Sequence, residues 1–253
     1  MFKKLYSKVV STICTDNIAR INQKIYLMFH SIEDELSNNN SIYHIPVIGF
    51  REICKFLDDI RIEAQNDYGN SIEIIFTFDD GYRNYIDNAL PILDQYSFKS
   101  IVFLIAEHIN DTSGKYISSN DLKSLLKHTG VTIGMHGYSH IDLSSLSDEY
   151  LVEELANIKE VCNPINFSTS YFSLPFGRAN DNVILKLAEQ GYTDIFTSDY
   201  GFQVSGENGP YIYPRIDIWS DDSNNVIKQK IMQYWKLFFL IESYKSKLYR
   251  ISQ

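Results

Sequence analysis

Short apolar runs alternate along this chain with segments whose apolar residues recur at helical spacing, and this alternation constrains the fold most. A strand followed by a helix and a second strand builds a parallel sheet covered by helices. The runs are Ile25 to Phe29, Ile72 to Phe78, Ser100 to Ile105, Val131 to Met135, Tyr171 to Leu174, Asp194 to Thr197 and Ile212 to Ile218. Helices are predicted between them over Phe50 to Ile62, roughly Asp87 to Tyr96, Ser119 to Lys127, Asp148 to about Val161, and Asn180 to Gln190. Pro91 is tolerable near the start of the second helix. Ser147 is the expected cap of the fourth. Gly130 and Gly191 are the expected stops of the third and fifth. Asn38 to Ser41 and Gly201 to Pro210 read as loops. A chain of 253 residues is long enough for one α/β barrel with a large core. The expectation is a single unit over 1–253, with its core over about 24–219 and a last helix over about 224–250.

The second run ends in Thr77-Phe78-Asp79-Asp80-Gly81-Tyr82. Two adjacent carboxylates at the end of a buried strand are costly, because like charges that close raise each other's pKa. Gly81 permits an immediate bend, so one carboxylate can bind a metal while the other stays free as a base. A solvated Asp-Asp-Gly turn is the plainer reading.

The fourth run leads into His136-Gly137-Tyr138-Ser139-His140. If the segment turns at Gly137, both imidazoles can converge on one ion. Two His and one Asp suit zinc or a similar divalent metal, and they leave a coordination position open for water. Only six of the 253 residues are His, and two of them fall here. The pairing therefore favours a metal site over loop histidines at chance spacing.

These two segments resemble the first two motifs of the polysaccharide deacetylases, the NodB-type homology domain of carbohydrate esterases. Ser173-Leu174-Pro175-Phe176-Gly177 resembles the third motif, and Pro214-Arg215-Ile216-Asp217-Ile218-Trp219 the fourth. The match runs from about Lys24 to about Trp219. It implies a distorted (β/α) barrel of about seven parallel strands. It also implies a metal-dependent hydrolase that removes the N-acetyl group of an amino sugar in a polysaccharide or glycan precursor. Asp80, His136 and His140 would hold the metal, most naturally Zn2+, with Co2+, Ni2+ or Fe2+ as alternatives. Asp79 would be the base. The backbone N–H of Phe176, in the turn opened by Pro175, would face the oxyanion, and Tyr82 would border the substrate.

Two departures from the family pattern matter. Ser173 stands where many members carry an Arg, and no His follows Trp219 to serve as the late general acid. Lys24 to Ile32 resembles the first strand of the branch acting on exported poly-N-acetylglucosamine, in which a His at this strand's end takes that place. His30 is accordingly the candidate acid. Arg215 is the candidate partner of Asp79, with Arg178 as its rival, and Asp217 could tune the acid. A plain surface ion pair is the alternative for Arg215 and Asp217. An inactive glycan-binding protein and an O-acetyl esterase remain alternative functions.

A formal net charge of −9 argues against nucleic acid as a partner and suits a neutral glycan. The three Cys, at 14, 54 and 162, form no metal spacing and no disulfide framework, and they read as buried free thiols. Met1-Phe2-Lys3-Lys4 mimics the start of a signal peptide. The apolar part that follows, Val9 to Cys14, is short and broken, so the segment reads as uncleaved and the protein as cytoplasmic. The last predicted helix is apolar at its centre, Tyr234 to Ile241, with basic flanks. It reads as packing on the barrel, with peripheral contact to an anionic membrane as the alternative.

Overall fold

The computed structural model describes residues 2–13, 24–34, 41–69, 71–201 and 209–239. It opens with helix α1 (Phe2–Ile13), strands β1 (Lys24–Phe29), β2 (Ser31–Ile32) and β3 (His44–Ile45), and helix α2 (Val47–Tyr68). Strand β4 (Glu73–Phe78), helix α3 (Leu90–Gln95), strand β5 (Lys99–Leu104), helix α4 (Ser119–Leu125) and strand β6 (Val131–Met135) follow. Then come helix α5 (Asp148–Cys162), strand β7 (Tyr171–Ser173), helix α6 (Asp181–Glu189), strands β8 (Asp194–Tyr200) and β9 (Tyr211–Asp217), and helix α7 (Asn224–Ile231).

Strands β1, β4, β5, β6, β7, β8 and β9 pair in that order, all parallel, and β9 pairs back onto β1. The sheet therefore closes into a seven-stranded barrel. β2 and β3 form a separate parallel pair at the rim. Closure buries both faces of each strand, which is why these segments read as continuous apolar runs. Side chains alternate between the two faces. Tyr26, Ile101, Phe103 and Phe196 form one cluster, while Ile25, Leu27, Val102 and Leu104 belong to the larger core that includes α2, α5 and α6 residues.

Several boundaries differ from expectation for local reasons. α2 is longer, starting after Pro46 and closing on left-handed Gly69 (φ 62°). A π-helical turn, Tyr85–Ala89, precedes α3, with Pro91 in the first turn of α3. α4 ends on right-handed Leu126, so Gly130 is not its cap. Ser147 caps α5 and Gln190 caps α6, with Gly191 just beyond at φ 95°. β8 runs on to Tyr200 through a register shift.

The expected single helix over about 224–250 is corrected. α7 stops at Ile231, and the chain turns through Gln233 at φ 60°. Tyr234 to Ile241 is apolar on nearly all sides, broken by Lys236, and a straight helix would leave part of it in water. The turn sends Trp235 and Phe238 inward instead, onto Tyr6 of α1, with ring centroids 5.3 and 5.5 Å apart. Residues 240–250 of that prediction lie outside the described residues, as do 38–40 and 202–208 of the predicted loops and Cys14. Val226, Ile227, Ile231, Trp235 and Phe238 are buried, whereas Leu237 is exposed. Among the described residues, no helix is long and apolar enough to cross a membrane. Cys54 and Cys162 are buried free thiols.

Candidate active site

The residues singled out by pattern meet at one end of the barrel, where the strands deliver their C-terminal ends. Backbone hydrogen bonds carry the ladder one step past each strand. Asp79 N–H donates to Phe29 O (3.0 Å), His136 N–H to Leu104 O (2.7 Å) and Leu174 N–H to Phe196 O (2.9 Å). The chain then bends sharply. Asp80, His140 and Phe176 all carry positive φ (69°, 56° and 58°), a conformation rare for non-glycine residues. Gly81, Gly137 and Gly177 sit in the same turns at φ 68°, 78° and 65°. At Gly177 a Cβ would come within 1.7 Å of Ser198 Oγ, so that turn has no room for a side chain.

Three of the bent side chains converge. Asp80 Oδ1 lies 3.6 Å from His136 Nε2 and 3.4 Å from His140 Nε2. One donor atom from each residue falls within 4.8 Å of the others. His136 Nδ1 is 2.8 Å from Ser173 O. That contact makes Nδ1 the protonated nitrogen and leaves the Nε2 lone pair facing Asp80 and His140. Burial, with His136 beside it, lowers the pKa of His140 despite the opposing pull of Asp80. Asp80 Oδ1 is buried and has no hydrogen-bond partner. Two imidazoles with their Nε2 atoms facing an unsatisfied carboxylate oxygen fit a divalent cation, one ligand short of tetrahedral closure.

Asp79 borders this trio, with its Oδ2 3.8 Å from His136 Nε2, but is held from the other side. Arg215 grips it through two parallel bonds, Nη1 to Oδ1 at 2.7 Å and Nη2 to Oδ2 at 2.8 Å. Asp79 is 3% exposed and Arg215 1%, so the pair is not the surface ion pair that the sequence left open. Arg215 also donates to Thr197 O, Thr77 Oγ1 and Ser173 Oγ at 2.9, 3.3 and 2.9 Å. Burial pushes the Asp79 carboxyl up, but the Arg215 charge and bonds outweigh it and hold the group well below the ordinary carboxylate range. The rival Arg178 pairs instead with Asp142 at 2.8 Å.

The remaining candidates surround this centre. His30 follows β1, and its Nδ1 is buried without a partner. Burial lowers the His30 pKa, while Asp79 and Asp80 pull it the other way. The Phe176 ring is 53% exposed and lies 4.8 Å from the His140 ring. In the turn opened by Pro175, the Gly177 N–H already donates to Leu174 O at 2.8 Å, which leaves Phe176 as the residue with a donor to offer. Tyr82 stacks on Tyr116 at 5.4 Å, and burial together with Asp80 raises its phenol pKa. Asp217 is half-buried at the end of β9, with its Oδ1 fully buried.

Two residues of the site were not anticipated in these roles. Glu154, on the inner face of α5, accepts from the N–H groups of Tyr138 and Ser139 at 2.9 and 2.8 Å and from Ser139 Oγ at 2.9 Å. It thereby holds the turn between the two histidines. The available signal was an acid amid the apolar positions Leu151, Leu155 and Ile158. Ser173, noted only as a missing Arg, bridges the site. Its hydroxyl meets Asp79 Oδ2 (3.2 Å) and Arg215, and its carbonyl meets His136.

The polysaccharide deacetylase family model matches residues 67–195, about half of the chain. The chain is 26% identical over 204 residues to YxkH of Bacillus subtilis, a polysaccharide deacetylase by assignment, covering 76% of this chain and 70% of that one. It is 29% identical over 171 residues to the poly-β-1,6-N-acetyl-D-glucosamine N-deacetylase of Staphylococcus aureus, covering 60% of this chain and 56% of that one. The fold is similar to those of the Streptococcus pyogenes deacetylase PplD and of IcaB from Ammonifex degensii. Their TM-scores are 0.67 and 0.64, at 22% and 20% identity, over 83% of this chain and 98% and 97% of theirs. The seven-stranded barrel and the matched segment, which spans Asp79 to Gly177, agree: the chain belongs to the polysaccharide deacetylase family.

Proposed function

We propose that this protein hydrolyses the N-acetyl group of an N-acetylated amino sugar within a glycan or glycan precursor, using a divalent cation, zinc by preference, at Asp80, His136 and His140. One observation carries the reading. Asp80 Oδ1 is buried and unsatisfied within reach of two imidazole nitrogens, while Asp79 beside it is committed to Arg215. When bound, such a cation lowers the pKa of water and polarises an amide carbonyl.

The chain's own groups supply the rest. Asp79, ionised and oriented by Arg215, takes the proton of the attacking water. The Phe176 N–H stabilises the oxyanion as the carbonyl carbon becomes tetrahedral. When the carbon–nitrogen bond breaks, His30 gives its proton to the departing amine, leaving acetate and a free amino sugar. Tyr82 and the exposed Phe176 ring border the sugar. The name of the Staphylococcus aureus relative supports an N-acetylglucosamine polymer as the first substrate to try.

The test is an acetate-release screen run alongside elemental analysis. N-acetylhexosamine is offered free, nucleotide-linked, lipid-linked and polymeric, with O-acetylated sugars as the comparison. The expected result is one bound metal per chain and release from an N-acetylated glycan. Release from O-acetylated sugars alone would make the protein an esterase. Bound metal without any release would make it a glycan-binding relative.

A further inference from the structure

β9 ends at Asp217, and the chain turns through Trp219 and Asp222 into α7. A lysine of α7 is buried inside that turn. Lys230 is 0% exposed, and its Nζ donates to Asp217 O at 2.8 Å and to Asp222 Oδ2 at 2.6 Å. The same Nζ lies 4.0, 5.7 and 5.8 Å from the ring centroids of Trp219, Trp235 and Phe239. Trp219 N–H donates to Asp222 Oδ2 (2.9 Å), and Lys3 of α1 reaches Asp222 Oδ1 at 2.8 Å. Burying an ammonium is costly even when it is paired, and an apolar side chain of similar length would suit a cage of three aromatic rings. Stability alone therefore explains Lys230 poorly.

Asp217 Oδ1 is buried with no hydrogen-bond partner, and so is His30 Nδ1. β9 pairs with β1 at Asp217 and Met28, two residues before His30. Tyr43 joins the two. Its ring lies 4.6 Å from that of His30, and burial and the Asp217 charge raise its phenol pKa. A carboxylate and an imidazole, each with one buried atom lacking a hydrogen-bond partner, thus share one corner of the mouth.

We propose that Lys230 is a positioning residue that acts through Asp217: it fixes the turn after β9 and supplies the positive charge that lets Asp217 stand as an anion beside His30. The proposal rests on the roles given above to His30 and Asp217. Burial raises Asp217, Lys230 and then Arg215 pull it down, Asp79 and Asp222 push it up, and the balance lies at about 6. Burial lowers Lys230, Asp222 and Asp217 hold it up, and Lys3 opposes them. Without Lys230, the Asp217 pKa would rise towards neutrality. His30 would then lose the anion at the end of β9, leaving Asp79 and Asp80 alone to oppose its burial.

The direct test is a 13C titration of aspartate-labelled protein, with the Asp217 signal assigned by its loss in Asp217→Asn. The midpoint should lie at about 6 in the unaltered protein. Lys230→Met should raise it by about one pH unit or more, and Lys230→Arg should restore it. Isosteric Asp222→Asn, which removes a neighbouring anion, should lower it. In the acetate-release assay the acid limb of kcat should follow the same shifts, with KM unchanged. An unmoved midpoint in Lys230→Met, or shifts of one sign in both variants, would overturn the proposal, as would midpoints that move while the acid limb stays. Should Lys230→Met fail to fold, Lys230→Gln, which keeps a donor at that position but no charge, is read by the same criterion. The titration needs no substrate, so a failed substrate screen is distinguishable from a failed proposal.

Discussion

At the scale of single residues, adjacent carboxylates take opposite parts because their neighbours differ. Asp79 is saturated by Arg215 and Ser173, whereas Asp80 keeps a buried oxygen with no partner. Asp79→Asn should therefore retain metal and lose acetate release by about 10²- to 10⁴-fold, the usual contribution of a general base. Near-normal turnover would remove Asp79 from that role. His30→Ala should lower turnover with metal content unchanged, and unaltered activity would assign the acid to another group. The Asp79–Arg215 pair also has a pH signature. Because the Asp79 pKa is depressed in the folded state, its stabilisation is present above the ordinary Asp value of about 3.9 and is lost as pH falls below it. Arg215→Met strands a buried carboxylate and should cost about 3–5 kcal/mol at neutral pH. Urea midpoints at pH 7 and pH 3 check this, since the gap between the two proteins should narrow in acid.

At the scale of elements, each turn of the site leans on a neighbour that packs elsewhere. α5 contributes its apolar face to the core and, from the same face, Glu154 to the turn between His136 and His140. Glu154→Gln keeps shape but can accept with one oxygen only. It should weaken metal affinity about 10- to 100-fold, as loss of an outer partner of metal ligands does, with helix content unchanged. Titration with a competing chelator measures this, and unaltered affinity would reduce Glu154 to a helix anchor. The element boundaries were legible wherever one local signal decided them. Val131 to Met135 coincides with β6, and Ser147 caps α5 as its spacing implies. The last helix was not legible. A run that is apolar on nearly all sides gives no clear face, and beyond the break at Gln233 its Trp235 packs on Tyr6 of α1, more than 200 positions away.

At the scale of the whole molecule, the site is assembled from β1, β4, β6, β7 and β9, so a bound cation ties distant parts of the chain together. Zinc at about 100 times its Kd should stabilise the fold by about 2.7 kcal/mol. Thermal unfolding with and without chelator measures this, and His136→Ala combined with His140→Ala should abolish the difference.

The alternation of strands and helices, and the placing of Asp79, Asp80, His136 and His140 just past two strands, were written in local sequence, because apolar periodicity and turn chemistry act over a few residues. The seven-stranded barrel was implied by the family resemblance. Which arginine meets Asp79, that Ser173 bridges the site, and that Glu154 and Lys230 point inward were decided only by tertiary structure. Those contacts join residues between 13 and 136 positions apart, and a buried charge finds its partner through space rather than along the chain.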